Sequence, residues 1–214
     1  MKKLSIFLMV CILAVGVYAA PLQTTTQRQS FRARLQAKLP IKPITSEKDF
    51  LEAIQQKDAF SISFMTDKTF LLATDAYGNN CFHLAKDAAT INALAAAIRR
   101  LEGDKAASII KLLRNQRNKT GETPFMYHIN SGRASTFRLL FKGSDLDLAI
   151  EKIKPNLNVS GALTLAVSGE QTRIREASRD KSGRTLMQAA QANKGVPGMD
   201  KVIQYLEEQA PYLS

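Results

Sequence analysis

The sequence predicts an all-α solenoid: antiparallel helix pairs joined by short turns and stacked side by side. Three observations point there. A turn phrase recurs along the chain from Asp75, an apolar helical start follows each copy, and second apolar stripes at helical spacing lie between copies. One hairpin cannot bury such a stripe alone, so neighbouring pairs must stack.

The chain has 214 residues, is 45% hydrophobic and 23% charged, and carries no excess of Pro or Gly, which places it among ordinary globular proteins. Its start has the form of an export signal over 1–19. Lys2 and Lys3 supply the positive end, Leu4–Gly16 is uncharged, and Val17-Tyr18-Ala19 offers small residues for cleavage near Ala20. An uncleaved membrane anchor is the alternative, although the run Leu4–Ala20 sits at the lower edge of the ~17–25 residues a spanning helix uses. A mature chain of this kind is expected to be periplasmic or secreted, and the short Lys-Lys start looks bacterial. That origin discounts the glycosylation patterns at Asn118-Lys119-Thr120 and Asn158-Val159-Ser160.

A basic leader follows over 20–46. Arg28, Arg32, Arg34, Lys38 and Lys42 stand in it without an acid, so much of the formal charge of +11 belongs to the signal and this segment. Pro40 and Pro43 oppose a continuing helix, and the composition is that of a flexible tail. Phe31, Leu35 and Leu39 allow a short amphipathic helix over Ser30–Leu39.

Residues 47–74 are expected to form divergent N-terminal capping helices. Ser46 and Asp49 are candidate caps for a helix through Phe50, Leu51, Ala53 and Ile54. The segment Phe60–Phe64 alternates as a strand does, yet it stands where a second helix is convenient; its type stays open, with helix favoured.

The repeats are expected over 75–214. Their anchors are Asp75-Ala76-Tyr77-Gly78, Asn118-Lys119-Thr120-Gly121, Asn156-Leu157-Asn158-Val159 and Asp180-Lys181-Ser182-Gly183. Glycine suits the fourth position because the turn needs a positive φ. Helical starts follow at Asn80-Cys81-Phe82-His83, Thr123-Pro124-Phe125-Met126, Gly161-Ala162-Leu163 and Thr185-Leu186-Met187-Gln188. Thr123 reads as an N-cap and Pro124 as the first helical residue. Second helices are read at Ile109–Leu113, Phe137–Leu140 and Val202–Leu206.

These phrases resemble the ankyrin repeat family, whose unit is a turn, a helix opening on a Thr-Pro-Leu-His-like phrase, a second helix and a loop. Gly121-Glu122-Thr123-Pro124-Phe125 through Gly143 is the closest match. The resemblance implies units at about 75–117, 118–155, 156–179 and 180–214. The anchors fall 43, 38 and 24 residues apart, against the family's ~33. The first excess is assigned to a lengthened first helix, Leu84–Leu101, and the last deficit to a truncated second helix at Ile174–Ala177. The resemblance also places His83 where the family's imidazole bonds between neighbouring units, and His128 where a small packed residue is usual.

No enzymatic constellation is expected. His83 and His128 are the only histidines, and nothing near either in the sequence supplies the other parts of a site. Cys11 leaves with the signal, so Cys81 has no disulfide partner; a helix start could activate its thiol, but a small buried hydrophobe is the preferred reading. No metal-ligand spacing, cofactor motif or small-molecule substrate site is read, and the loop Lys194–Gly198 does not follow a strand as a phosphate loop would. The basic residues Arg99, Arg100, Lys105, Lys111, Arg114, Arg117 and Lys119 are taken as a solvated face, broken by Glu102 and Asp104. The expected function is therefore that of a non-enzymatic scaffold for another protein. By resemblance its contact residues are Ala76, Tyr77, Lys119, Thr120, Leu157, Asn158, Lys181 and Ser182, with Tyr77 as anchor. The alternative is a binder of anionic envelope components or nucleic acid through the basic leader and helices.

Overall fold

A computed structural model describes residues 42–153, 174 and 178–213. The expected signal, the leader before Lys42 with its short helix, and the Asn156–Val159 turn lie outside these residues. Apart from Lys42, the described residues fall in the compact unit Pro43–Ser214, and they are all-α. Among the described residues there is no strand, only an isolated antiparallel bridge between Arg179 and Thr185. No described helix is long and apolar enough to cross a membrane.

Helix α1 (Glu47–Gln55) starts at the cap expected of Ser46, whose hydroxyl accepts from the Asp49 N–H at 3.1 Å. Its buried face is Phe50, Ala53 and Ile54. Lys57, at φ 61°, closes it by donating to the Ile54 carbonyl while the Asp58 N–H donates to Ala53, the paired bonds of a Schellman end. Phe60–Phe64 is helical: α2 (Ala59–Phe64) is capped by Asp58, which accepts from the Ser61 N–H at 2.9 Å. Its apparent alternation is a helical one, because Phe60 and Phe64 stand one turn apart with rings 4.8 Å apart while Ile62 enters the core. A 3-10 turn, Lys68–Leu72, then buries Leu71.

The next unit departs from expectation. Instead of a first helix running from Leu84 to Leu101, α3 (Cys81–Leu84) is a single turn, the chain opens at Ala85, and α4 (Ala88–Glu102) starts afresh. The cause is Asp87, whose carboxylate accepts from the Thr90 N–H at 2.8 Å and so restarts the helix. After a 3-10 turn, Gly103–Lys105, a third helix α5 (Ala106–Asn115) follows. The wide spacing between the first two anchors reflects this added helix.

Further on come α6 (Pro124–Asn130), α7 (Ala134–Phe141), α8 (Asp145–Ile153), α9 (Leu186–Ala192) and α10 (Met199–Leu213). Helices α1, α3, α6 and α9 touch in series, α2, α4, α7 and α10 touch in a second series, and each member of one row packs on its counterpart in the other. Between the rows lie Phe82, Leu94, Ile98, Phe125, Phe137, Leu140, Phe141 and Leu206, all buried. Leu139, next to Leu140 in the second helix read at Phe137–Leu140, is only partly buried. Phe141 meets Phe125, Phe137 and Tyr205 at ring distances of 5.4, 5.2 and 5.6 Å, which ties α10 to α6 and α7.

Helices α9 and α10 pack directly on α6 and α7; of the unit expected over 156–179, only Ile174, Ser178 and Arg179 lie within the described residues. Helix α8 leaves the rows and packs on α10. Its start is pinned to α5 by the Asp145 N–H donating to Asn115 Oδ1 at 2.9 Å and by Lys111 pairing with Asp145 at 3.0 Å. Ile174 is helical and buried; the rest of Ile174–Ala177 lies outside the described residues.

Candidate protein-binding surface

Three of the four expected turns are built alike. Asp75 Oδ1 accepts from the Tyr77 and Asn79 N–H groups at 2.8 and 2.9 Å. Asn118 Oδ1 accepts from Thr120 and Glu122 at 3.1 and 2.9 Å, and Asp180 Oδ1 from Ser182 and Arg184 at 2.9 and 3.0 Å. In each, the glycine N–H donates back to the carbonyl of the Asx residue, with φ of 75° at Gly78, 79° at Gly121 and 78° at Gly183. An acceptor side chain two and four residues ahead of the amides it serves, plus one residue free to take a positive φ, is enough to set this turn locally.

The turns then bond to one another. The Lys119 N–H donates to the Tyr77 carbonyl at 3.0 Å, Asn118 Nδ2 to Asn79 Oδ1 at 2.9 Å, and Lys119 Nζ to the Ala76 carbonyl at 2.7 Å. Lys181 Nζ donates to the Lys119 carbonyl, and Arg117 to the carbonyls of Gly121 and, at 3.0 Å, Arg179. Arg179 in turn reaches the Gly183 carbonyl at 2.8 Å. The turn opened at Asp180 thus sits beside that opened at Asn118, which sits beside Asp75.

Six of the eight expected contact residues, Ala76, Tyr77, Lys119, Thr120, Lys181 and Ser182, are exposed along this one edge. Leu157 and Asn158 lie outside the described residues. The structure changes the roles of four of the six. Lys119 and Lys181 spend their ammonium groups on neighbouring carbonyls, the Thr120 hydroxyl lies 2.7 Å from Asn118 Oδ1, and the Ser182 hydroxyl donates to Asp180 Oδ1 at 2.6 Å. Tyr77 is the large apolar side chain left at the edge, 71% exposed. Arg117 and Arg179 act as clamps that the turn phrases do not announce; the available signal is an Arg directly before both Asn118 and Asp180.

Both histidines are buried between units. His83 Nε2–H donates to the Glu122 carbonyl at 3.0 Å while Nδ1 accepts from the Asn80 N–H at 3.2 Å. His128 Nε2–H is shared between the Phe82 and His83 carbonyls, each 3.0 Å away, and Nδ1 meets the Thr136 hydroxyl. Burial first, and Arg133 second, bring the His128 pKa down to about 3; burial also lowers that of His83. Cys81 is fully buried and burial pushes its thiol up to about 12, the reverse of an activated nucleophile.

The basic stretch does not form a stripe of free cations. Arg100 donates to the Ser63 and Met65 carbonyls, Arg114 to Lys142 O at 2.7 Å, and Lys111 pairs with Asp145. Among the described residues no group of three or more His, Cys, Asp or Glu is placed to hold a metal ion.

Family models, curated proteins and solved structures contain no match to this chain.

Proposed function

We propose that the chain is an exported, non-enzymatic scaffold that binds another protein through ankyrin-like repeats, exported by the signal over 1–19 and acting in the periplasm or outside the cell. The observation that carries this reading is the row of three like-built turns cross-bonded into one edge, with Tyr77 standing out of it. A rigid row of tips loses little conformational freedom on docking, and aromatic residues are enriched among hot spots. Support for the non-enzymatic part comes from the histidines, whose ring nitrogens are engaged by the Phe82, His83 and Glu122 carbonyls, the Asn80 amide and the Thr136 hydroxyl, and from the buried Cys81.

Because Lys119 holds the Ala76 carbonyl, its replacement would disturb the turn itself, so Tyr77→Ala is the cleaner test. Crosslinking in the native envelope should capture a partner with the wild type and lose it with Tyr77→Ala, while Gln204→Ala on exposed α10 surface keeps it. Retention of every captured partner by a folded Tyr77→Ala protein would refute the edge. A mature chain beginning near Ala20 by mass spectrometry tests the export step; an intact Met1–Ser214 chain in the envelope would refute cleavage.

A further inference from the structure

A cleft of about 440 Å³ opens where the last turn of α4 meets α5 and the loop after α7. Arg99 from α4 and Arg114 from α5 line it, with Gly143 across from them. Its charged wall is completed by Lys111, which is paired with Asp145 at 3.0 Å, and by Asp104, the one acid lining it. No carboxylate among the described residues is paired with Arg99 or Arg114.

Arg114 is only partly satisfied within the fold. Its NH1 donates to the Lys142 carbonyl at 2.7 Å, whereas its Nε is buried and has no hydrogen-bond acceptor. A buried donor on a cation is costly to leave unpaired. Burial and the neighbouring Arg99 both push against its charge, lowering its pKa from the usual arginine range. Gly143 makes the room for this arrangement: a Cβ there would come within 3.3 Å of Arg114 NH1. Two guanidinium groups line this one open space, and their mutual repulsion is relieved by an anion seated there that accepts from both.

We infer that this cleft is an anion site, in which Arg99 and Arg114 together take an oxyanion of the phosphate or carboxylate type, while Ala106, Ala107 and Ile110 receive whatever apolar part the anion carries. Guanidinium forks match both oxyanion geometries. The volume lies within the range of small-ligand pockets. The site is separate from the turn edge and does not depend on it.

The test is an amide-resolved NMR titration of the full chain with inorganic phosphate and, separately, sodium acetate, each against sodium chloride at equal ionic strength. Saturable shifts at Gly103 and Gly143 are expected with one or both oxyanions. The Arg99 side chain is exposed, so Arg99→Gln should fold normally and weaken the response on the order of tenfold, the worth of one charge-assisted hydrogen bond. Arg114→Lys keeps the charge without the fork and should weaken it too. Response to phosphate alone identifies a phosphoryl group as the occupant, and an equal response to acetate identifies a carboxylate. Chloride producing the same shifts, or Arg99→Gln binding as wild type does, overturns the site.

Discussion

His128 Nε2 lies 3.0 Å from the main-chain oxygen of His83, a residue 45 positions earlier on the neighbouring unit. The ring occupies the slot that Ala85 and Ala190 fill in the flanking units, and it uses the added reach to take two carbonyls at the end of α3. Arg133 NH1 donates to the same His83 oxygen at 3.2 Å, so α3, which is only one turn long, has its unsatisfied carbonyls met from the next unit.

This contact makes stability pH-dependent. The folded pKa of about 3 is depressed below the ordinary 6.5, so as pH falls the unfolded chain takes up the proton first. Stability is full above about pH 6.5 and declines until the folded pKa is reached; at about pH 5 the loss from His128 is about 2 kcal/mol. His83 acts in the same direction. Urea unfolding should show this decline between about pH 7 and pH 5, and His128→Gln should be less stable but flatter across that window. Parallel declines of wild type and variant would rule out His128 as the source.

Gly121→Ala and Gly183→Ala separate backbone strain from crowding. Both sites have φ near 80°, and a Cβ at Gly183 meets nothing within 4 Å, whereas one at Gly121 would lie 2.3 Å from Lys181 Cγ. Gly183→Ala should cost about 1 kcal/mol, from left-handed strain partly offset in the unfolded chain. Gly121→Ala should cost more, because Lys181 must move and release the Lys119 carbonyl. Equal losses in thermal or urea unfolding would mean that the Lys181 clamp contributes nothing.

The turns were readable because their chemistry is local: an Asx acceptor, two amides and a glycine lie within five residues. The break at Ala85 was not, because Leu84–Leu101 keeps apolar positions at helical spacing straight through it, and its alanines favour helix. Asp87 ahead of Ala88-Ala89-Thr90 was the cap that could have revealed the restart. The sequence could place Tyr77 and Lys119 at tips, but not that Lys119 reaches back 43 residues to the Ala76 carbonyl. That fact belongs to the stacking distance between units, which no local pattern encodes.

Leu140 and Leu139 are adjacent in sequence and unequal in the core. Leu140 is fully buried on α7, while Leu139 is partly exposed. Leu140→Ala should lose about 2–5 kcal/mol through lost transfer energy and a residual cavity. Leu139→Ala should lose well under half of that, since the removed atoms were partly in water and solvent can fill the gap. Comparable urea midpoints for the two variants would show that α7 does not present Leu140 alone to the core.

Thr123 and Thr185 hold the same position ahead of α6 and α9 but do different work. Thr185 accepts from the Gln188 N–H at 3.2 Å, and Gln188 Oε1 accepts in return from the Thr185 N–H at 2.9 Å, a reciprocal capping box. Thr123, expected to cap α6, makes no side-chain cap bond, and its hydroxyl is buried without a partner. Pro124 already removes one amide from the first turn and fixes its φ, so the helix starts without that hydroxyl. Thr185→Ala should therefore cost about 1 kcal/mol. Thr123→Val should be neutral or stabilising, because a methyl replaces an unsatisfied buried oxygen in a similar volume. Chemical unfolding of the two variants decides it: a Thr123→Val protein that loses as much as Thr185→Ala would place a hydrogen-bonded hydroxyl at Thr123 after all.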